Sequence, residues 1–198
     1  SAPFLLGVCM PLTTTEVSIC NSALIKVGAE RITSLSDTNK RAQLCDEQYD
    51  KIRDEVLRSH PWNFAIKRVA LTSTGSTPAF GYDYEYTIPT DVLRILSLHD
   101  NTIKWRVEAN RKLLSDSATV KIEYIAQITA AAEYDSYFAE ALALRLAAEL
   151  AYPLVQSIRL QENLMQRFEM HIRNARSFDA QEGTPWDLTD DGWIETRL

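Results

Sequence analysis

The residue types that most often carry chemistry are few in this chain and lie far apart. Its three histidines, His60, His99 and His171, share no short spacing with one another. A zinc site needs three or four convergent ligands, so these positions do not predict one. Ser59 and His60 are adjacent, but neighbours on a helix point in different directions and cannot serve as nucleophile and base. The histidines therefore indicate neither a metal centre nor a catalytic triad.

Adjacent carboxylates offer a second kind of chemistry. Asp46-Glu47 and Asp190-Asp191 are such pairs, and glycosidases use two carboxylates held at a set separation across the bond they cleave. In a chain with 27 acidic residues, pairs of this kind are expected mainly as solvated surface. The sequence therefore predicts no catalytic residues, and a glycan hydrolase is kept as an alternative.

Glycines and cysteines point to no cofactor either. The 6 glycines form no GxGxxG or GxxxxGK loop, which are the common phosphate-binding patterns. Cys9, Cys20 and Cys45 are an odd number without a C-x-x-C spacing, so neither a disulfide framework nor a zinc knuckle is predicted. Cys20 and Cys45 fall on apolar helical faces and are expected as small buried thiols. We expect no metal, no cofactor and no enzymatic activity.

Charge is concentrated at the C-terminal end of the chain. The formal net charge of the 198 residues is −6. Residues 179–198 hold six acidic residues against Arg197, a net charge of −5, which leaves the first 178 residues close to neutral. Tight DNA binding needs a basic patch that releases counterions from phosphates, and this composition indicates none. An acidic tail is typical of a segment that binds a protein partner.

The same tail contains apolar side chains that no local pattern would bury. Trp186 and Trp193 stand among acidic residues, and Ile194 and Leu198 follow them. Tryptophan is enriched at interface hot spots, so these four residues are predicted to dock on a partner. The chain contains no apolar run of about 18 residues, the length a membrane-spanning helix requires, and no membrane partner is expected.

Hydrophobic periodicity divides the chain into helices and strands. Two helices are predicted in residues 13–64, the first starting near Thr13 and ending at Gly28, the second closed by His60-Pro61. Between residues 65 and 128 the period changes to two, as in Tyr82, Tyr84 and Tyr86, and short turn signals favour an antiparallel β meander. Two further helices are predicted in residues 129–178, with Pro153 ending one or opening the next.

The predicted fold class is α+β. It comprises a four-helix bundle core, a β meander inserted between helices 2 and 3, and an extended C-terminal tail. The organisation is an N-terminal extension (1–12), helices 1 and 2 (13–64), the meander (65–128), helices 3 and 4 (129–178) and an acidic docking tail (179–198). Trp62 and Phe64 follow the proline that ends the second helix, and we expect them to fill the junction of helices and sheet.

Several segments carry a resemblance to a known family. A Gly-x-x-x-Ile-x-Ser-Leu spacing begins at Gly28, and a Trp-x-Phe spacing begins at Trp62. These and looser matches lie in residues 23–35, 57–65, 86–91, 138–151 and 193–198. From Met10 onward, the chain resembles the tail tubular protein A family, the head-to-tail adaptors of short-tailed (podovirus-like) bacteriophages.

This resemblance implies a structural virion protein of the phage neck, present in the host cytoplasm during assembly. Family members form a ring of twelve copies that joins the portal protein to the tail nozzle protein, and genomic DNA passes through the lumen without specific binding. The helices build the ring, and the terminal tail reaches the neighbouring ring. Two alternatives stay open, a tail-associated glycan hydrolase and a non-viral protein-binding module.

Overall fold

The computed structural model describes residues 14–108 and 111–179. These residues form four α-helices and two small antiparallel sheets, which confirms a mixed helix and sheet fold. The helices are α1 (Glu16–Val27), α2 (Lys40–Ser59), α3 (Ser136–Val155) and α4 (Ile158–Asp179). The strands are β1 (Ile66–Leu71), β2 (Tyr84–Thr87), β3 (Val92–Leu98), β4 (Trp105–Glu108), β5 (Lys112–Ser115) and β6 (Val120–Ala126).

Helix α1 begins slightly later than the sequence pattern predicts. Thr15 is the N-cap: its hydroxyl accepts a bond from the Ser18 N–H (3.1 Å), while the Thr15 N–H donates to Ser18 Oγ (2.9 Å). Ser18 thus completes a capping box with Thr15. Gly28 ends the helix at φ 78°, as predicted, because glycine has no Cβ to oppose the left-handed conformation.

Asp37 stabilises the connector between α1 and α2, residues 28–39. Its carboxylate accepts bonds from the N–H groups of Thr33 (3.1 Å) and Ser34 (3.3 Å) and from the Thr33 hydroxyl (3.0 Å). These bonds favour the charged form and lower the pKa of Asp37. A carboxylate whose pKa is lowered on folding adds stability above its unfolded pKa, and that stability is lost as the pH falls through the folded pKa.

Replacing Asp37 by asparagine should therefore flatten the acid limb of the stability curve. The wild type loses the Asp37 contribution below about pH 4, the unfolded pKa of an aspartate, whereas Asp37→Asn has no such charge to titrate. Urea midpoints measured between about pH 2 and 7 would show the two curves converging at the acid end. Asp46→Asn, at an exposed position on α2, is the control. An identical pH dependence for wild type and Asp37→Asn would contradict this assignment.

Helix α3 is the central helix of the described chain, and the three other helices all pack against it. Apolar or small side chains cover most of its circumference, as expected for a helix buried on several sides. Its buried residues are Phe138, Ala141, Leu142, Ala143, Leu144, Leu146, Ala147, Ala148, Leu150 and Ala151. The prediction that Pro153 ends this helix or opens the next is wrong. Pro153 lies in the last turn, and α3 continues to Val155 before Gln156 turns at φ 56°.

Contacts along α2 and α3 show that the two helices run antiparallel. Lys40 Nζ donates to the Pro153 carbonyl (3.0 Å) at one end, and Trp62, just beyond α2, packs against Phe138 at the other. Helix α4 returns along α3, so that the His171 ring stacks on the Tyr137 ring with centroids 5.5 Å apart. The far part of α4 therefore lies at the same end of α3 as the end of α2.

The two sheets have the strand orders β1-β6-β3 and β2-β5-β4, and all their pairs are antiparallel. The expected meander would pair each strand with the next in sequence, and this order is wrong for all neighbours except β4 and β5. Strands β5 and β6 lie at the central positions and have the largest share of buried residues in their sheets. The edge strands β1, β2, β3 and β4 have fewer buried residues than the central strand of their sheet.

Candidate interaction surfaces

The histidines and acidic pairs singled out in the sequence do not converge. His60 is buried with its ring edge against Trp62 (centroids 4.9 Å), His171 Nε2 lies 2.9 Å from the Tyr137 carbonyl oxygen, and His99 is exposed. Ser59 Oγ donates to the Val56 carbonyl (2.8 Å). Within residues 14–108 and 111–179, no three His, Cys, Asp or Glu side chains are grouped so as to hold a metal ion.

The remaining sequence candidates have simple placements. Asp46 and Glu47 are exposed on α2, while Asp190 and Asp191 lie outside the described residues. Cys20 and Cys45 are fully buried and carry free thiols, which confirms that prediction. The pKa of the Cys20 thiol is raised, mainly by a hydrogen bond with Cys45 and secondly by burial. This side chain is therefore held in its unreactive protonated form.

Trp62 and Phe64 belong to an aromatic cluster where the helices meet the sheet. Phe138 of α3 is its centre, with ring centroids 5.3 Å from Trp62, 5.2 Å from Phe64 and 4.8 Å from Tyr134. The Trp62 indole N–H donates to the Val56 carbonyl (3.1 Å), which satisfies a group near the end of α2. This cluster ties the end of α2 to α3 and to the start of β1.

The predicted docking residues of the tail, Trp186, Trp193, Ile194 and Leu198, lie outside the described residues. Candidate surfaces must therefore be sought on residues 14–108 and 111–179. Three features there combine exposed apolar or charged side chains without an evident structural task. They are a patch at the α3–α4 turn, the edge strand β4, and a cleft lined by arginines.

The first feature, the corner patch, consists of Tyr152, Val155 and Ile158. These side chains are 54%, 47% and 59% exposed. They are close in sequence, on either side of the turn between the end of α3 at Val155 and the start of α4 at Ile158. Single exposed apolar residues are ordinary, and a group of large ones is typical of an interaction site where the side chains share a surface. The corner patch lies at the end of α3 away from the aromatic cluster.

The second feature is strand β4, the open edge of the sheet β2-β5-β4. Trp105 and Val107 are 37% and 46% exposed there. An edge strand presents unpaired N–H and C=O groups that another chain can bind. The opposite edge, β2, has an additional bridge between Ser73 and Tyr86, so β4 is the more open of the two.

The third feature, the arginine cleft, lies between the end of α2, strand β3 and strand β4 and has a volume of about 420 Å³. Arg58, Arg94 and Arg111 line it, together with Trp105, Val107 and the apolar residues Ile88, Val92, Leu93 and Ile95. No acidic side chain is among these lining residues. A cleft with one sign of charge and apolar walls concentrates ligands of the opposite charge.

The three arginines have different tasks. Arg111 donates to the carbonyl oxygens of Thr90 (2.6 Å) and Val92 (2.5 Å), which anchors the loop before β3. Arg58 is exposed and Arg94 is half-buried, and no ion pair joins either one to an acidic side chain in the described part of the chain. Arg58 and Arg94 therefore have donors to spare for a ligand.

Sequence reasoning missed this cleft. The average charge of the first 178 residues indicated no basic patch, yet three arginines from three separate elements gather in one place. Arg58, Arg94 and Arg111 share no local spacing, so no pattern in the sequence could have grouped them without knowledge of the strand order.

Comparison with known proteins leaves these surfaces to be interpreted from their own chemistry. No protein-family model matches the chain, and no curated protein matches it either. Over residues 14–108 and 111–179, none of the helices has the length and apolar character needed to cross a lipid bilayer.

Proposed function

We propose that the chain is a subunit of a phage head-to-tail connector ring, which joins the portal to the tail nozzle and surrounds the path of the genomic DNA. In this role the four helices act as a bundle that builds the ring, and residues 65–128 form an insertion. Residues 179–198 form a tail that docks on the portal. The protein would be located in the virion neck and in the host cytoplasm during assembly.

The observation that carries the proposal is the presence of two separate apolar surfaces on one subunit. A closed ring needs a heterologous interface, in which one patch of a subunit meets a different patch of the next. The corner patch at the end of α3 and the exposed edge strand β4 are suited to these two roles. The two surfaces belong to different elements and lie near opposite ends of α2. Lys40, at the start of α2, contacts the Pro153 carbonyl beside the corner patch, and Arg58, near its end, lines a cleft together with β4.

The residues behind the family resemblance support the proposal in a second way. Gly28 terminates α1 at a positive φ, Ile32 is held by the Asn21 side chain, and Trp62 and Phe64 belong to the aromatic cluster. These residues maintain the framework rather than perform chemistry. This is the pattern expected where a protein acts through assembly, with its function carried by surfaces that sequence motifs do not mark.

The ring interface can be tested by light scattering on the full chain, alone and mixed with the portal ring of the same genome. Glutamates at the corner, Tyr152→Glu with Ile158→Glu, should weaken association between copies by about tenfold or more, because an apolar contact would have to bury charges. Met170→Glu, at an exposed apolar position on α4 (53% exposed), is the matched control and should assemble normally.

Portal docking is tested separately in the tail. Trp186→Ala with Trp193→Ala should abolish the increase in mass on mixing with the portal, since truncated hot-spot tryptophans typically cost about 2 kcal/mol or more each, roughly thirtyfold in affinity. Normal assembly of both the corner and the tail variants would contradict the connector proposal. Failure of the wild type to associate in either state would favour a protein-binding module instead.

A further inference from the structure

The arginine cleft has a feature that ring building does not require, two arginines without acidic partners, Arg58 and Arg94. An exposed tryptophan of the β4 edge, Trp105, lines the same cleft. Guanidinium groups bind carboxylates through paired hydrogen bonds, and these are stronger than neutral ones. An apolar wall beside them would accept large apolar side chains. The chemistry of the cleft thus fits an acidic peptide that also contains aromatic residues.

Residues 180–198 of this chain have that composition. They hold five acidic residues against Arg197, a net charge of −4, together with two tryptophans. The acidic residues are Glu182, Asp187, Asp190, Asp191 and Glu195. The segment lies outside the described residues, and its charge and aromatic content complement the cleft on the same molecule.

We propose that the arginine cleft binds the acidic segment 180–198 of its own chain. Carboxylates of the segment would pair with Arg58 and Arg94, and one of its tryptophans would pack beside Trp105 and Val107. Binding to a portal would then require the segment to leave the cleft. The proposal concerns the single chain, and because Trp105 and Val107 also belong to the β4 edge, the segment would have to leave the cleft before that edge meets a second copy.

The placement of α4 supports binding within one molecule. Helix α4 carries the chain past Tyr137 at the beginning of α3 and ends at Asp179. The end of α2, which contributes Arg58 to the cleft, lies at the same end of α3 because Trp62 packs against Phe138. The segment therefore starts at the end of the helices where the cleft is located.

Chain length supports the same conclusion. Residues 180–198 can span up to about 60 Å when extended, whereas a compact chain of 198 residues has a radius of gyration of about 16 Å. A tethered segment that can reach its site acts at an effective concentration of about millimolar. At lower protein concentrations, the chain's own segment outcompetes that of a second copy.

Disulfide trapping in the full chain tests the proposal. In a Cys9→Ser background, Val107→Cys at the cleft is combined with Thr189→Cys in the segment. The matched control places the first cysteine at Ile158, which is exposed at the corner patch. We expect the cleft pair to form an intramolecular disulfide about tenfold faster than the control pair, at a rate independent of protein concentration, because binding raises the local concentration of the two thiols.

Charge reversal in the cleft gives an independent readout. Arg58→Glu with Arg94→Glu, or about 0.5 M salt, should slow the cleft pair by about tenfold and leave the rate of the control pair unchanged, since the attraction is electrostatic. Arg159→Glu with Arg167→Glu, at exposed positions on α4, should leave the rate unchanged. Arg111 is left intact because it anchors the loop before β3.

Three results would overturn the proposal. Equal rates for the cleft and corner cysteines would show that the segment does not prefer the cleft. Concentration-dependent linkage between two chains would assign the cleft to the segment of a second copy. A fluorescent DNA duplex that binds the wild type but not Arg58→Glu with Arg94→Glu would assign the cleft to phosphates.

Discussion

Replacing Trp62 by alanine should destabilise the protein strongly, more than the loss of any single hydrogen bond in the connector or the caps. The Trp62 side chain is 1% exposed and contacts both Phe138 and His60 through edge-to-face rings. Tryptophan-to-alanine changes in cores cost about 3 to 5 kcal/mol because the contacts are lost and a cavity remains. Since domains of this kind are stable by about 5 to 15 kcal/mol, urea unfolding should show a large shift of the midpoint.

Two further variants separate the contributions at this position. Trp62→Phe keeps most of the ring contacts but removes the indole donor to the Val56 carbonyl, to which Ser59 Oγ still donates, and should cost about 0.5 to 1.5 kcal/mol. Phe64→Ala, at a half-buried position, should cost less than Trp62→Ala. A loss below about 1 kcal/mol for Trp62→Ala would show that this cluster does not hold the helices to the sheet.

Local signals in the sequence are sufficient to predict most elements. The apolar stripe of α1 is correct because Cys20, Leu24 and Val27 are buried, and Gly28 ends the helix as expected. The change of period also places the strands, since β1 to β6 all lie in residues 65–128. Within that range β1 has no alternation of apolar and polar residues, because Val69, Ala70 and Leu71 are consecutive, so the pattern does not give its bounds. The successes depend on interactions between residues that are close in the chain.

Pairing between distant segments could not be predicted in this way. The tyrosines at 82, 84 and 86 have an alternating pattern, yet Tyr86 is fully buried and Tyr84 is 36% exposed. Burial there depends on β5, which pairs with β2 from a distant part of the sequence. The arginine cleft was missed for the same physical reason, since its charges meet only after β3 and β4 have taken their places.

Asn21→Ala should cause the second largest loss of folding stability, because the Asn21 side chain forms two hydrogen bonds with the backbone of one residue, Ile32. Its Nδ2 donates to the Ile32 carbonyl (3.0 Å), and its Oδ1 accepts from the Ile32 N–H (2.8 Å). Ile32 is only 4% exposed, so water cannot readily replace the amide. Leaving a part-buried donor and acceptor unpaired costs about 1 to 2 kcal/mol each, the lower part of the range for buried groups, and we expect a total loss of about 2 to 4 kcal/mol in urea unfolding.

Asn21→Asp provides the discriminating control, because aspartate keeps the acceptor for the Ile32 N–H but places a carboxylate oxygen against the Ile32 carbonyl oxygen. It should cost about as much as alanine but should preserve the hydrogen-exchange protection of the Ile32 amide, which Asn21→Ala removes. Asn174→Ala, at an exposed position on α4, should change neither measurement. If Ile32 stayed protected in Asn21→Ala, the connector would be held by the burial of Ile32 alone. Apolar packing would then fix the conformation of residues 28–35, and the two hydrogen bonds between Asn21 and Ile32 would not be needed for it.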